Sequence, residues 1–191
     1  MRRKTFDVLV SSVGLLLTVV LIVAGALLMW GYTFTNDQVN QQLSAQKITF
    51  PPANSPAVTS LPAADATAMR KYAGQSMTSG AQAETYANHF IAVHLSEVAG
   101  GQTYAQVSSK LQPPAVNSLS PLQVIKLKAQ AAELFQGTTL RGMLLNAYAF
   151  WQIGQIALIA AIVSFIAAAI MLVLSVLGFW HVRRTPSEAE I

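Results

Sequence analysis

The sequence predicts an all-α membrane protein, with two transmembrane helices flanking a small extracytoplasmic helical bundle. Three observations predict it. Val8 to Trp30 reads "VLVSSVGLLLTVVLIVAGALLMW" without a charge. No Asp, Glu, Lys or Arg stands between Arg141 and Arg183. The chain between these stretches shows helical spacing and no alternating strand pattern. Composition agrees: 53% of residues are hydrophobic and 10% charged, against about 25% charged in a soluble domain.

At 1.5 Å per residue, the first run reaches roughly 35 Å, enough for a hydrocarbon core of about 30 Å. It is also longer than a signal-peptide core and continues past the "AGA" at Ala24–Ala26, so a retained anchor is expected. The second span is drawn from 153 to 180. Phe6, Trp30 and Tyr32 bracket the first span; Tyr148, Trp151, Phe179 and Trp180 bracket the second. Such rings favour the headgroup layer.

Arg2, Arg3 and Lys4 precede the first span and Arg183 and Arg184 follow the second, while Lys47 is the first basic residue after Trp30. The positive-inside rule therefore puts residues 1–7 and 181–191 in the cytoplasm and residues 31–152 outside, at the plasma membrane. The spans hold no ionisable side chain, which argues against an ion or proton pathway. Ser11, Gly14, Thr18 and Gly25 share one helical face, as do Ala157, Ala160, Ala161, Ser164 and Ala168. Small faces let helices approach closely. These faces either pack on each other or dock on another membrane subunit.

Outside, Asn36 or Asp37 offers a cap for a helix carrying Val39 and Leu43, read as a prolongation of the first span. Four prolines between Phe50 and Pro62 predict an extended linker over 50–62. "DATAMRKYAG" is a short helix with Met69 and Tyr72 on one side, stopped at Gly74. Thr78 or Ser79 starts a longer helix that Gly100-Gly101 ends. Its inner stripe is expected to be Ala83, Ala87, Phe90 and His94, with Tyr86 and Val98 at the margins. Tyr104, Val107 and Leu111 mark another helix, ended by Pro113-Pro114. Ser120, Pro121 and Gln123 form a capping box for a further one. Gly137 is expected to close that helix, and Thr138 to cap the helix entering the second span. Residues 142–152 would then stand above the bilayer.

The chain has no cysteine, which removes disulfides, thiolate metal sites and cysteine nucleophiles. Its basic residues are dispersed and form no nucleic-acid patch. His89 and His94, with Glu84 and Glu97 nearby, are the residues that suggest a metal. Positions i and i+5 point about 140° apart on an α-helix, and the zinc spacing of i and i+4 is absent. The expected arrangement is instead a hydrogen-bonded His94 beside the inner stripe, oriented by Glu97. No serine sits in a G-x-S-x-G turn, no glycine loop cradles phosphate, and no paired carboxylates suit glycoside chemistry. Gln152 and Gln155 face headgroups, water or a neighbouring helix, and Arg141 is solvated or meets lipid phosphate. No catalytic residue, cofactor or metal is expected.

"KITFPP", "YAGQSMTSGAQAETYANHFIAVHLSEVAGGQTYAQVS" and "LFQGTTLRGMLLNAYAFWQIGQIAL" together resemble a family of small uncharacterised actinobacterial membrane proteins. The resemblance covers most of the chain. It implies the same two-span layout with an external helical domain. Some family members carry a name suggesting an aromatic ring-opening dioxygenase, but the resemblance supplies no catalytic residues to carry over. The function expected is therefore that of a non-enzymatic accessory or stabilising subunit of a larger plasma-membrane complex, such as a respiratory or transport assembly. The alternative is an extracytoplasmic ligand- or lipid-binding sensory module acting with a separate transducer. Lipid bilayer and another integral membrane complex are the partners expected, and nucleic acid is not.

Overall fold

The first apolar run does not end as a helix where its hydrophobicity ends. Past Trp30 no proline intervenes, and the backbone continues as one 43-residue helix, α1 (Arg3–Ala45). The computed structural model describes residues 3–184; Arg2 and the tail from 185 to 191, both used in the sequence reading, lie outside the described residues. Asn36 and Asp37 fall inside α1 and cap nothing. After α1 come α2 (Pro56–Thr59), α3 (Ala63–Arg70), α4 (Gly80–Tyr86), a π-helical turn at Ala87–Ile91, α5 (Ala92–Glu97), α6 (Tyr104–Ser109) and the 64-residue α7 (Pro121–Arg184). Short 3₁₀ turns cover Val98–Gly100 and Ala115–Ser118. The described residues form no strand, only one isolated antiparallel bridge between Thr49 and Ser76. Two helices, α1 and α7, are long and apolar enough to cross a membrane.

The chain divides into two compact units. One takes the chain up to Thr35 and from Ile153 onward; the other is Asn36–Gln152. In the first unit α1 and α7 run antiparallel. The register follows from the residues that meet: Gly14 lies against Ser175, Gly178 against Ser11, Gly25 against Phe165 and Gly154 against Thr35. A Cβ on any of these glycines would collide with its neighbour, so their lack of a side chain sets the interhelix distance. Ser164 Oγ donates to Leu21 O at 2.8 Å across the seam, and Thr18 Oγ1 donates back to Gly14 O at 2.9 Å. Ser11, Gly14, Thr18 and Gly25 are buried, as are Ala161, Ser164 and Ala168. Of the two readings of the small faces, the structure realises the intrachain one. Such seams rely on dispersion and close backbone contact. Ser175 Oγ, also in the seam, is buried without a hydrogen-bond partner.

The second unit is built differently. Its core joins Val39 and Leu43 of α1 to Phe50, Val58, Leu61, Met69, Met77, Ala83, Ala87, Ile91 and Leu144. Three of these residues belong to 50–62, so that segment is not the extended linker its prolines suggest. Pro56 occupies the first turn of α2, where a missing amide proton leaves nothing unsatisfied. Phe50 and Val58 are fully buried. The Phe50 backbone is held by Gln75 O at 2.9 Å and Gly74 N at 3.1 Å, and Gly74 takes a φ of +73° to make that turn.

Gly137 does not close a helix. α7 runs through it unbroken, and a Cβ there would meet Leu95 Cδ2 at 2.5 Å. Its role is to admit Leu95, and Thr138 caps nothing. The same logic places Gly80 against the ring of Trp151. That ring packs on the core of the second unit, whereas the sequence reading gave it to the headgroup layer. A smaller cluster of Val107, Ala131 and Leu134 fastens α6 to α7.

Candidate functional site

Chemically capable side chains gather around the π turn. Its origin is local. Ser79 and Gln82 make a reciprocal capping box that fixes where α4 starts: Gln82 N donates to Ser79 Oγ, and Gln82 Oε1 accepts from Ser79 N at 3.1 Å and Thr78 N at 2.8 Å. From there Gln82, Ala83 and Thr85 go inside. One extra residue is then accommodated within Ala87–Ile91, which rotates every later side chain about the helix axis. The buried position after Ala87 becomes Ile91 instead of Phe90. Leu95, not His94, then reaches the core.

This displaces the histidines from their expected places. His94 is exposed, and its Nδ1–H donates to Phe90 O at 2.7 Å with the ring 4.4 Å from the Phe90 ring. Glu97 does not orient it. His89 is half-buried and pairs through Nδ1 with Asp65 Oδ1 of α3 at 2.7 Å. Glu84 Oε1 accepts from Asn88 Nδ2 at 2.8 Å. From α7, Arg141 Nε donates to Ala87 O at 3.2 Å and a second guanidinium nitrogen donates to Asn88 Oδ1 at 2.8 Å. Ala87 O already accepts from Ala92 N within the π turn, and the guanidinium adds a second bond to the same carbonyl. Arg141 is thus bound to protein, where the sequence reading offered water or lipid phosphate. Gln152 is exposed and Gln155 half-buried.

Two further features complete the region. Tyr86 stands edge-on to Phe50 at 5.3 Å and tilted on Phe90 at 4.8 Å; burial pushes its phenol above the ordinary tyrosine range. A cleft of about 510 Å³ opens at the far end of α5, lined by Glu97, Gln102, Lys110, Gln123, Lys126 and Gln130 among others. Lys110 Nζ donates to Gln102 Oε1 at 2.6 Å at its rim.

What the arrangement can do chemically is limited. A carboxylate on Nδ1 fixes a histidine tautomer and leaves Nε2 as the acceptor, but among the described residues no hydroxyl is hydrogen-bonded to His89. Among the described residues, no group of three or more His, Cys, Asp or Glu side chains is placed to hold a metal ion. The structure brings together Asp65 with His89 and Glu84 with Asn88 and Arg141, but keeps His89 and His94 on separate partners. The sequence reading missed Asp65 and Asn88. Asp65 lies 24 residues from His89, and no local spacing could have joined them.

Fold and site together define an all-helical chain with two helices long and apolar enough to cross a membrane. Comparison with protein-family models, curated proteins and solved structures finds no match.

Proposed function

We propose that this protein is a non-enzymatic accessory or stabilising subunit of a larger plasma-membrane assembly. One observation carries the reading: the histidines and the arginine gathered around the π turn are engaged in holding the fold. His89 is tied to Asp65, His94 to the Phe90 carbonyl, and Arg141 to the π turn. In support, α1 and α7 expose Leu16, Leu27, Ile159, Ile166 and Val176 on the sides away from their seam, as lipid-facing helices do. On this reading both ends of the chain are cytoplasmic, Asn36–Gln152 lies outside as a helical bundle, and the small-residue seam serves the chain itself. A partner subunit is then met through the outer faces. Purification in mild detergent followed by mass spectrometry should recover a defined membrane partner at constant ratio. Recovery of this chain alone, from native membranes and at several detergent strengths, would overturn the proposal.

The cleft near Glu97 favours a second reading, a ligand-binding sensory module with a separate transducer. The polar part of its lining, two lysines, one glutamate and three glutamines beside Leu119 and Leu127, suits a small polar or zwitterionic ligand. Thermal-shift screening of the full chain against polar metabolites tests it, and indifference to all of them would discard it.

A further inference from the structure

We propose that the outer face of α7 between Leu122 and Phe150 is a parallel coiled-coil seam that pairs with a second copy of this chain. The face is read from spacing. Starting at Leu122, steps of three and four residues give Ile125, Ala129, Ala132, Gln136 and Thr139. The same steps continue to Met143, Asn146 and Phe150. All nine positions are exposed and none is charged. Leu122 is 79% exposed, Ile125 65% and Met143 65%. At 100° per residue this stripe lies roughly opposite Leu127, Ala131 and Leu134, which α7 already uses for its own unit. An amphipathic helix needs one such stripe, and this one has two. A repeat of seven with apolar a and d positions is the pattern by which helices supercoil in pairs.

Charge selects the occupant. With Leu122 at a, Lys128 falls at g and Glu133 at the following e. In a parallel two-stranded coil the g residue of one chain faces the e residue five positions on in its partner. On a single helix, residues five apart point about 140° away from each other, and among the described residues neither Lys128 nor Glu133 has an ion-pair partner. Two copies in register would form two Lys128–Glu133 pairs. The next g and e positions are Phe135 and Leu140, an apolar pair at the same offset, with 56% and 39% of their surface exposed; Gly142 and Ala147 follow. An antiparallel pairing sets g beside g and e beside e, and leaves the opposite charges apart. Gln136 at an a position is a neutral polar group of the kind that fixes register. The seam is self-complementary, and that self-complementarity favours a second copy over a foreign helix or lipid.

The test uses the full-length chain in its native membrane. Because the chain has no cysteine, Ala132→Cys at a d position and Thr138→Cys at an outward, exposed c position each introduce a single thiol. Mild oxidation should give a covalent homodimer from Ala132→Cys at least about fivefold more than from Thr138→Cys, since a d residue faces its own copy across the axis. In the Ala132→Cys background, Lys128→Glu and Glu133→Lys should each lower cross-linking roughly tenfold, because two exposed pairs change from attraction to repulsion. Coexpressed with tags of different length, the K128E and E133K chains should cross-link to each other and recover the lost yield. Equal yields at positions 138 and 132, adducts to another protein only, or failure of the mixed chains to recover would each overturn the proposal.

Discussion

The first unit holds together through what its residues lack, the second through what they carry. Where α1 meets α7 in the first unit, contacts are made by Gly14, Gly25, Gly154 and Gly178, which lie hardest against Ser175, Phe165, Thr35 and Ser11, with one cross-helix hydrogen bond from Ser164. In the second unit the largest fully buried side chains are Phe50, Met69 and Met77, and the starts of α4, α6 and α7 are fixed by side-chain caps. The difference teaches that two rules of packing operate in one chain. Burying apolar surface away from water drives the second unit. On the proposed membrane reading, lipid removes that driving force, and close approach is what remains for the first.

Four experiments break or sharpen this contrast. The largest effect is expected from Phe50→Ala, which should destabilise the second unit by about 3–5 kcal/mol, seen as early unfolding in tryptophan-monitored melts of the full chain. A neutral result would return 50–62 to the status of a linker. Arg141→Ala leaves the π turn without its clamp and strands Asn88 Oδ1. A loss of about 1–3 kcal/mol is expected, with Lys recovering only part because it cannot make both bonds. Hydrogen exchange at Ala87–Ile91 is the measurement that locates the loss. Gly14→Leu should splay the α1–α7 seam for about 1–2 kcal/mol, lowering thermal stability in mild detergent while leaving exchange in Asn36–Gln152 unchanged. If both regions loosen equally, the two rules are not separate.

The smallest effect concerns Tyr86. Burial raises its phenol above the ordinary value, so the neutral form is the one the fold keeps. That stability is fully present below the unfolded value near 10 and is lost as pH rises through the raised folded value. Stability measured from neutral to strongly alkaline pH should fall in the native chain, and by less in Tyr86→Phe.

How much of this was legible in the sequence depends on whether the signal was local. The two apolar helices, the Ser120–Gln123 cap, the stop at Gly101, and the burial of Met69 and Val107 rest on neighbours within a turn or two, and each was readable; the stop expected at Gly74 comes earlier, since α3 ends at Arg70 and Gly74 instead turns the chain that follows. Gly137 and the 50–62 prolines misled because glycine and proline have two uses. Gly137 admits Leu95 where a stop was expected, and Pro56 starts a helix where an extended chain was expected. The π turn was invisible because Phe90 and Ile91 are both apolar, and only contact with the core decides which faces inward. His89 with Asp65, and Arg141 with Asn88, join segments 24 and 53 residues apart, a distance at which spacing carries no information.

Three helices open on a box with the same chemistry: Ser79 with Gln82, Thr103 with Gln106, and Ser120 with Gln123. Each uses glutamine where glutamate is the common alternative. Glutamate would add an attraction to the helix dipole but would surrender it on protonation near pH 4. With an amide in every box, acid shock in the surroundings finds nothing to titrate at these three helix starts.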